Sequence, residues 1–137
     1  MFYINDFEIG HSVHNQVEIT QDLHDSFMLM SGDNSPIHTD YKFAKKSNYK
    51  KTIGYAFLIT ALLSKIYGTI FPGGSELCLK QECNFKKEYY VGDTLLFVLK
   101  VIHKNLSLNL VTIDVSVFNQ DNEVIFNGET LMKLSLG

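Results

Sequence analysis

The sequence predicts an α+β fold in which a long, curved antiparallel sheet wraps around one central, buried helix. A nearly all-apolar helical segment occupies residues 54–68, and segments with the two-residue alternation of strands follow it. The last two of these segments are joined by Gln120-Asp121-Asn122, a connection short enough to indicate an antiparallel hairpin. A sheet that covers one apolar helix in this way is an α+β arrangement.

The chain is expected to form one domain, residues 1–137, with a core of ordinary size. Its net charge is -3, so the basic surface of a nucleic-acid-binding protein is not expected. Asp6 precedes any apolar run, which argues against a secretory signal, and the longest apolar run, residues 55–63, is too short to span a membrane. We therefore expect a cytoplasmic protein without membrane contact.

The two cysteines, Cys78 and Cys83, lie in one segment with strand character. Their odd separation places the side chains on opposite faces of a strand, so they are not expected to form a disulfide. Reduced cysteines agree with a cytoplasmic protein, and two cysteines without further ligands argue against a zinc site.

The first half of the chain mixes strand and helix patterns. Residues 11–20 are typical of a strand, and residues 20–32 are typical of a helix with Thr20 as its N-cap and Gly32 as its end. The apolar side chains that recur at helical spacing are Leu23, Phe27 and Met30.

The central segment, residues 54–68, has the length of a helix and is bounded by Gly54 and Gly68. Because apolar side chains occupy several of its faces, we expect it to be buried on most sides. One narrow stripe at four-residue spacing is small or hydroxylated: Ala56, Thr60 and Ser64.

Four segments after the central helix have the alternation of strands: residues 76–85, 93–103, 108–120 and 123–134. The positions predicted to face the core are Leu77, Leu79, Cys83 and Phe85, then Leu95, Phe97, Leu99 and Val101, then Val111, Ile113, Val115 and Val117, and finally Val124, Phe126, Thr130, Met132 and Leu134. Since an exposed sheet edge is a liability, the sheet is expected to continue across a homodimer.

The loop SGDNSPIHTD, residues 31–40, carries Asp33 and His38 before a short helix predicted at residues 38–49. In a structural interpretation Asp33 caps the turn and His38 caps the short helix that follows, and the loop contains ordinary turn formers. In a functional interpretation they form a general acid–base pair, since a carboxylate can fix the tautomer of an imidazole or share a water molecule with it. Pro36 would stiffen the loop between them. The spacing alone does not decide between the two.

The central helix offers two more candidates. The hydroxyls of Thr60 and Ser64 either bond to carbonyl groups of the helix itself or line a pocket beside the loop. The first N–H groups of the helix, near Tyr55 and Ala56, lack partners within it and carry partial positive charge, which suits them to polarise a carbonyl oxygen.

Polar residues near these segments have two interpretations as well. Gln81 interrupts an apolar strand face, where it either bonds to neighbouring backbone or contacts a polar part of a ligand. The lysine run before the central helix either forms a solvated surface or meets phosphate groups at the mouth of a pocket. Its members are Lys45, Lys46, Lys50 and Lys51.

Taken in order, these motifs resemble the MaoC-like family, which comprises (R)-specific enoyl-CoA hydratases and related acyl-thioester dehydratases with a hotdog fold. The family motif is roughly Ser-Gly-Asp-x-Asn-Pro-x-His-x-Asp followed by Ala, and this chain has SGDNSPIHTD followed by FAKKSNY. The later segments GYAF, FPGG, LKQECNF and YVGD match a helix that opens with His-Gly-Met, a Pro-Gly turn, a strand with Gln and Phe, and a Val-Gly-Asp strand start. The match covers about residues 20–100.

The resemblance implies a hotdog fold and a reversible hydratase or dehydratase that acts on an acyl thioester of coenzyme A or acyl carrier protein. It identifies Asp33 and His38 as the acid–base pair. It also identifies Ser64 as a supporting residue and the N–H of Ala56, next to Tyr55, as the contact to the thioester oxygen. No metal or redox cofactor is implied.

Two positions depart from the family pattern. Ser35 replaces the Asn before Pro, and Tyr55-Ala56 replaces His-Gly. Both changes are expected to alter the acyl group, chain length or carrier that the site accepts. The candidates for substrate binding are Asn34, Ser35, Gln81, Lys45 and Lys46.

Two alternatives to a hydratase remain open. One is a non-catalytic hotdog subunit that binds an acyl chain or completes a heterodimer, which Tyr55-Ala56 favours and the retained Asp33 and His38 oppose. The other is a thioesterase on the same fold, which would release a free thiol.

Overall fold

A six-stranded antiparallel sheet and four helices make up the computed structural model, which describes all 137 residues. In chain order the elements are β1 (Ser12–Glu18), α1 (Gln21–Ser31), α2 (Pro36–Thr39), α3 (Tyr41–Lys46), α4 (Ala56–Thr69), β2 (Glu76–Gln81), β3 (Asn84–Phe85), β4 (Thr94–Asn105), β5 (Leu110–Phe118) and β6 (Val124–Leu134). The sheet order is β1-β4-β5-β6-β2, and β3 also pairs with β6. The predicted α+β fold with one antiparallel sheet is confirmed.

The helix α4 packs on one face of this sheet. Its buried side chains are Leu58, Ile59, Leu62, Leu63, Ile66 and Tyr67, and they form one apolar cluster with side chains of β4, β5 and β6. The prediction of burial on most sides is too broad, because the sheet covers only one side of the helix. Phe57 is 64% exposed, and Ser64 and Lys65 are exposed as well. None of the four helices combines the length and the hydropathy needed to cross a membrane.

The predicted core faces of the long strands are confirmed. All eight predicted positions in β4 and β5 are at most 1% exposed. In β6 the predicted face is buried from Phe126 to Leu134, whereas Val124 at its start is 38% exposed. The antiparallel β5–β6 hairpin is also present.

The predicted strand at residues 76–85 is divided into β2 and β3 by Glu82 and Cys83. The division coincides with a close backbone approach, because a Cβ atom on Gly128 of β6 would overlap the carbonyl group of Glu82. Only glycine fits at this point of the pairing. Both cysteines are free thiols.

Of the expected apolar face of that segment, only Cys83 packs against the core, where it is partly buried. Leu77 and Leu79 are 61% and 50% exposed, and Phe85 is 42% exposed. A register shift between Cys78 and Lys80 interrupts the alternation. The strand β2 also lies at the edge of the sheet, so no neighbouring strand shields its outer side. This face is therefore open to solvent.

The helix α1 begins and ends as predicted. The Thr20 hydroxyl accepts the N–H of Leu23 at 3.2 Å, and Gly32 has a φ of 75°, the left-handed conformation of a C-cap. Met30, predicted to lie on the apolar side, is 72% exposed. The residue of α1 that is buried is His24, at 3% exposure.

The single short helix predicted at residues 38–49 is two helices, α2 and α3. Pro36 is the first residue of α2, where its missing N–H leaves no helical bond unmade. The Asp40 side chain then accepts two N–H groups at the start of α3. His38 consequently lies inside α2, and the structural interpretation of it as a cap of the following helix is wrong.

Candidate active site

Asp33 and His38 border one cavity of about 470 Å³. The end of α1, the loop before α2, and the first residues of α4 form its wall. Tyr55, Ala56 and Phe27 also line it. The structure thus brings together four of the predicted site residues: Asp33, His38, Tyr55 and Ala56.

The tautomer of His38 follows from its hydrogen bond to the main chain. Its Nδ1 lies 2.8 Å from the carbonyl oxygen of Ile53. A carbonyl can only accept, so Nδ1 carries the proton and donates it. In the neutral imidazole the lone pair therefore resides on Nε2, which has no hydrogen-bond partner in the protein. This nitrogen can accept a proton from a bound molecule.

Asp33 is exposed and borders the cavity, and its side chain also holds the turn of the loop through a hydrogen bond. Its carboxylate accepts the N–H of Ser35 at 3.0 Å, as in the structural interpretation of the loop. The pKa of Asp33 is lowered, first by the Ser35 hydroxyl, then by the Ser35 N–H, and to a smaller extent by the nearby His38. The carboxylate is thus ionised at neutral pH, and no hydrogen bond joins it to His38.

The start of α4 is fixed by Tyr89. The carbonyl oxygen of Tyr89 accepts the N–H of Gly54 at 2.6 Å, and its hydroxyl donates to the carbonyl oxygen of Tyr55, also at 2.6 Å. A Cβ atom at Gly54 would overlap the Tyr89 ring, so this approach requires glycine. No side chain caps the first turn of α4, whose N–H groups at Ala56 onward stay available to a ligand.

Tyr55 is buried, with 2% exposure, and does not extend into solvent at the mouth of the cavity. Its hydroxyl donates to the carbonyl oxygen of Asp33 at 2.5 Å. Its ring stacks on the imidazole of His38, with centroids 4.0 Å apart, and also contacts Phe27 at 4.8 Å. Burial raises the pKa of its hydroxyl, so that group remains a donor.

The sequence interpretation missed His24. Its Nε2 lies 2.9 Å from the carbonyl oxygen of His38 and donates to it, and its ring contacts that of Tyr55. The available signal was a histidine on the helix face that also carries Phe27 and Met28, three and four residues later.

Ser64 and Gln81 lie elsewhere, at a second cavity of about 300 Å³ between α4 and β2. Ser64 is exposed and forms no hydrogen bond. The Thr60 hydroxyl, which also borders this cavity, donates to the carbonyl oxygen of Phe57 at 2.8 Å, within its own helix. The hydroxyl stripe therefore does not face the loop that carries Asp33 and His38.

The side chain of Gln81 belongs to a compact polar group at that cavity. Its Oε1 lies 2.8 Å from the Tyr67 hydroxyl and 2.7 Å from the Thr130 hydroxyl, and these two hydroxyls are 2.8 Å apart. The Gln81 amide nitrogen donates to the carbonyl oxygen of Glu82. Only two hydroxyl protons serve the three contacts among oxygen atoms, so one contact lacks a proton at any time. Gln81 thus bonds mainly to side chains, which neither interpretation anticipated.

The remaining candidates lie in the loop before α2 and at the end of α3. Asn34 and Ser35 bond through their carbonyl oxygens to the Thr39 hydroxyl, which holds the turn together. Lys45 and Lys46 are exposed in the last turn of α3 and form no ion pair. No group of three histidine, cysteine, aspartate or glutamate side chains has the arrangement to hold a metal ion.

Comparison with known proteins gives consistent matches. The profile of the MaoC like domain matches residues 6–121. An (R)-specific enoyl-CoA hydratase of Aeromonas caviae is 28% identical over 80% of this chain and 81% of that enzyme. A 3-hydroxybutyryl-CoA dehydratase of Methylorubrum extorquens is 27% identical over 98% and 85% of the two chains. The unliganded R-hydratase PhaJ1 of Pseudomonas aeruginosa superposes with a TM-score of 0.92 at 27% identity, over 98% of this chain and 86% of that chain.

The fold and the relatives together define the class of the protein, which is a hydro-lyase with the hotdog fold. Along the chain, the loop that carries Asp33 and His38 comes first, the helix α4 follows it, and the strands β2 to β6 come last, which is the order that the motifs predicted. The chain belongs to the MaoC-like domain family.

Proposed function

We propose that the protein catalyses the reversible syn addition of water to a trans-2-enoyl thioester, which gives an (R)-3-hydroxyacyl thioester of coenzyme A or acyl carrier protein. The observation that carries the proposal is the free Nε2 of His38 beside the ionised Asp33 carboxylate at the uncapped start of α4. Two proton acceptors and a set of free N–H donors at one cavity are what this reaction requires.

The start of α4 would bind the thioester. The N–H of Ala56 belongs to an uncapped first turn, where the helix carries partial positive charge. A thioester oxygen bound there is polarised, which makes C3 of an enoyl group electrophilic and the C2 proton of a hydroxyacyl group acidic.

Asp33 and His38 would carry the proton transfers. In dehydration, one of the pair removes the C2 proton, the C3–O bond breaks, and the pair delivers a proton to the departing hydroxyl. Water leaves, and the enzyme regains its starting protonation state. In hydration the same pair takes a proton from water as it attacks C3 and returns a proton to C2.

The predicted supporting residues receive more distant roles. Ser64 lies eight residues beyond Ala56 on α4, which is about 12 Å along the helix. We therefore assign Ser64 and Gln81 to the far end of a bound acyl chain and not to the reacting atoms. Lys45 and Lys46, which are exposed and unpaired, are assigned to phosphate groups of the carrier.

A second copy of the chain would cover the exposed edge of the sheet. Leu77 and Leu79 on β2 are exposed, and so are Phe57 and Phe85, whose ring centroids are 5.7 Å apart. An edge strand with apolar side chains favours pairing with another strand. This supports the homodimer in which the sheet continues from one protomer to the next.

The experiment is a panel of trans-2-enoyl thioesters, including crotonyl-CoA and longer chains on both carriers, incubated with the purified protein and followed by mass spectrometry. We expect the product to gain one water molecule with its thioester intact. Release of a free thiol would identify a thioesterase instead. Thermal stabilisation by thioesters without turnover would identify a non-catalytic acyl-binding subunit.

A further inference from the structure

Two buried side chains hold the main chain at the catalytic pair itself. The Tyr55 hydroxyl donates to the carbonyl oxygen of Asp33 at 2.5 Å, and Nε2 of His24 donates to the carbonyl oxygen of His38 at 2.9 Å. The donors come from outside the loop, since His24 is on α1 and Tyr55 immediately precedes α4. Each member of the pair therefore has its own anchor on a separate helical element.

The two anchors also contact each other. The rings of His24 and Tyr55 have centroids 4.8 Å apart, and Tyr55 stacks on the His38 ring at 4.0 Å with an interplanar angle of 27°. His24 is 3% exposed and Tyr55 is 2% exposed. Because protein interiors are closely packed, a shift of either anchor would be transmitted to the other and to the His38 ring.

The burial of His24 carries a cost in stability. Its Nε2 is occupied by the His38 carbonyl, while its Nδ1 is buried without any hydrogen-bond partner. A buried polar atom without a partner destabilises a fold, and an apolar side chain of similar size would avoid this. The hydrogen bond to His38 is thus made together with an unpartnered nitrogen, so the net contribution of the imidazole to stability is small.

We propose that His24 and Tyr55 are positioning residues that together fix the separation and orientation of Asp33 and His38. This inference rests on the proposed function of that pair. The loop that carries Asp33 is exposed, and exposed loops are mobile unless they are tied down. Proton transfer requires catalytic groups within a fraction of an ångström of their productive positions. The two anchors supply that precision through the backbone.

The direct test compares Tyr55→Phe, His24→Leu and His24→Gln in the hydration of crotonyl-CoA. Tyr55→Phe removes only the hydroxyl that holds Asp33, and His24→Leu removes the donor that holds His38. We expect each to lower kcat roughly 10- to 100-fold with little change in KM, since the reacting groups are misplaced while substrate contacts remain. His24→Gln, which retains a donor at similar reach, should recover most of the rate.

Stability separates this role from a structural one. His24→Leu should change Tm little, because the loss of the hydrogen bond to the His38 carbonyl is offset by removal of the unpartnered Nδ1, while kcat falls. The matched controls are His11→Leu and Tyr90→Phe. His11 also has a buried, unpartnered nitrogen, and Tyr90 is 8% exposed, but neither contacts the loop. Both controls should retain the wild-type kcat.

Double variants identify the residue through which each anchor acts. Tyr55→Phe should cause no further loss in an Asp33→Asn background, and His24→Leu should cause none in a His38→Gln background. Full additivity in both backgrounds, or wild-type kcat in both single anchor variants, would overturn the proposal.

A readout that needs no turnover keeps the inference separate from the proposed function. Hydrogen–deuterium exchange of residues 32–39 should accelerate in Tyr55→Phe and His24→Leu while exchange in the sheet is unchanged. If the wild-type protein hydrates no thioester but this exchange accelerates, the proposed reaction is wrong and the anchoring stands. Unchanged loop exchange in both variants would contradict the anchoring even if the enzyme is active.

Discussion

The chemistry of His38 depends on one carbonyl oxygen in another part of the chain. The carbonyl oxygen of Ile53 accepts a hydrogen bond from Nδ1–H, and this contact leaves the basic lone pair on Nε2. Residue types and spacing alone left Asp33 and His38 open between a structural and a functional interpretation, and the resemblance of the loop to the family motif was needed to predict them as the candidate pair. The tautomer was not predictable, because it depends on how residues 53 and 38 approach after folding.

The same limit explains why the hydrogen bonds of His24 and Tyr55 to the loop were not predicted. A pattern of apolar residues assigns a helix face, and on α1 it favoured Leu23, Phe27 and Met30 over a histidine. The packing of α1 against the start of α4 instead buries His24 and leaves Met30 in solvent. Contacts between separate elements decide such positions, and a single sequence does not encode them in its periodicity.

The charge of Asp33 gives a prediction about stability and pH. The pKa of Asp33 lies below its ordinary value of 3.8, chiefly because Ser35 faces the carboxylate. A carboxyl group with a lower pKa in the folded state contributes stability above its unfolded pKa, and this contribution is lost as the pH falls through the folded pKa. We therefore expect wild type to have a higher Tm than Asp33→Asn near neutral pH, with the difference disappearing below pH 3.8.

Calorimetry of both proteins across this pH range tests the prediction. The Lys87–Glu123 ion pair is present in both proteins, so its own titration cancels in the comparison. A Tm difference that grows toward acid would contradict the assigned direction of the Asp33 shift.

At the scale of elements, the position of the α4 N-terminus depends on a glycine. Gly54 lies against the Tyr89 ring, and Gly54→Ala would force a Cβ atom into that ring. We expect a loss of roughly 1–3 kcal/mol in the free energy of unfolding. The rate should fall as well, because the first N–H groups of α4 would move away from the thioester. Denaturant unfolding and the hydration assay measure the two effects.

Gly68, which lies inside α4, provides the matched control. The nearest atom to a Cβ atom placed there is Oε1 of Glu76 at 3.8 Å, an ordinary contact. Gly68→Ala should therefore leave stability unchanged or raise it by about 0.5–1 kcal/mol, as expected for alanine in a helix. Equal losses in the two variants would show that Gly54 has no special role.

The strands illustrate which elements a sequence can predict. The alternation in β4 and β5 assigned every core position correctly, because both strands lie inside the sheet with one face on α4. The same rule failed in β2, where Leu77 and Leu79 are exposed. An edge position and a register shift break the link between alternation and burial, and neither is visible before the strands are paired.

At the scale of the molecule, the exposed face of β2 predicts the assembly. If a second copy covers it, Leu77→Glu combined with Leu79→Glu should convert a dimer to a monomer, because charged side chains at a strand edge oppose pairing. Light scattering coupled to size-exclusion chromatography measures the mass. Leu106→Glu is the control, since Leu106 is also 61% exposed but lies in the turn between β4 and β5. A dimer that survives the double change would contradict the proposed interface.

The order of the motifs along the chain predicted the fold and the family. The structure corrected the prediction that one site contains all the candidate residues. Ser64 and Gln81 border a different cavity from Asp33 and His38. Residues on one stripe of a helix can lie more than two turns apart, so a shared face does not place them at one site. Sequence order alone therefore joined residues that the three-dimensional structure separates.

The most direct test of the central claim is the rate of crotonyl-CoA hydration by wild type, Asp33→Asn and His38→Gln, with Tm measured for each protein. General acid–base catalysis typically contributes on the order of 10²–10⁴-fold. The account predicts that both variants fold, keep the thioester intact and lose activity by about that factor. Wild-type rates in either variant would contradict the assignment of the pair.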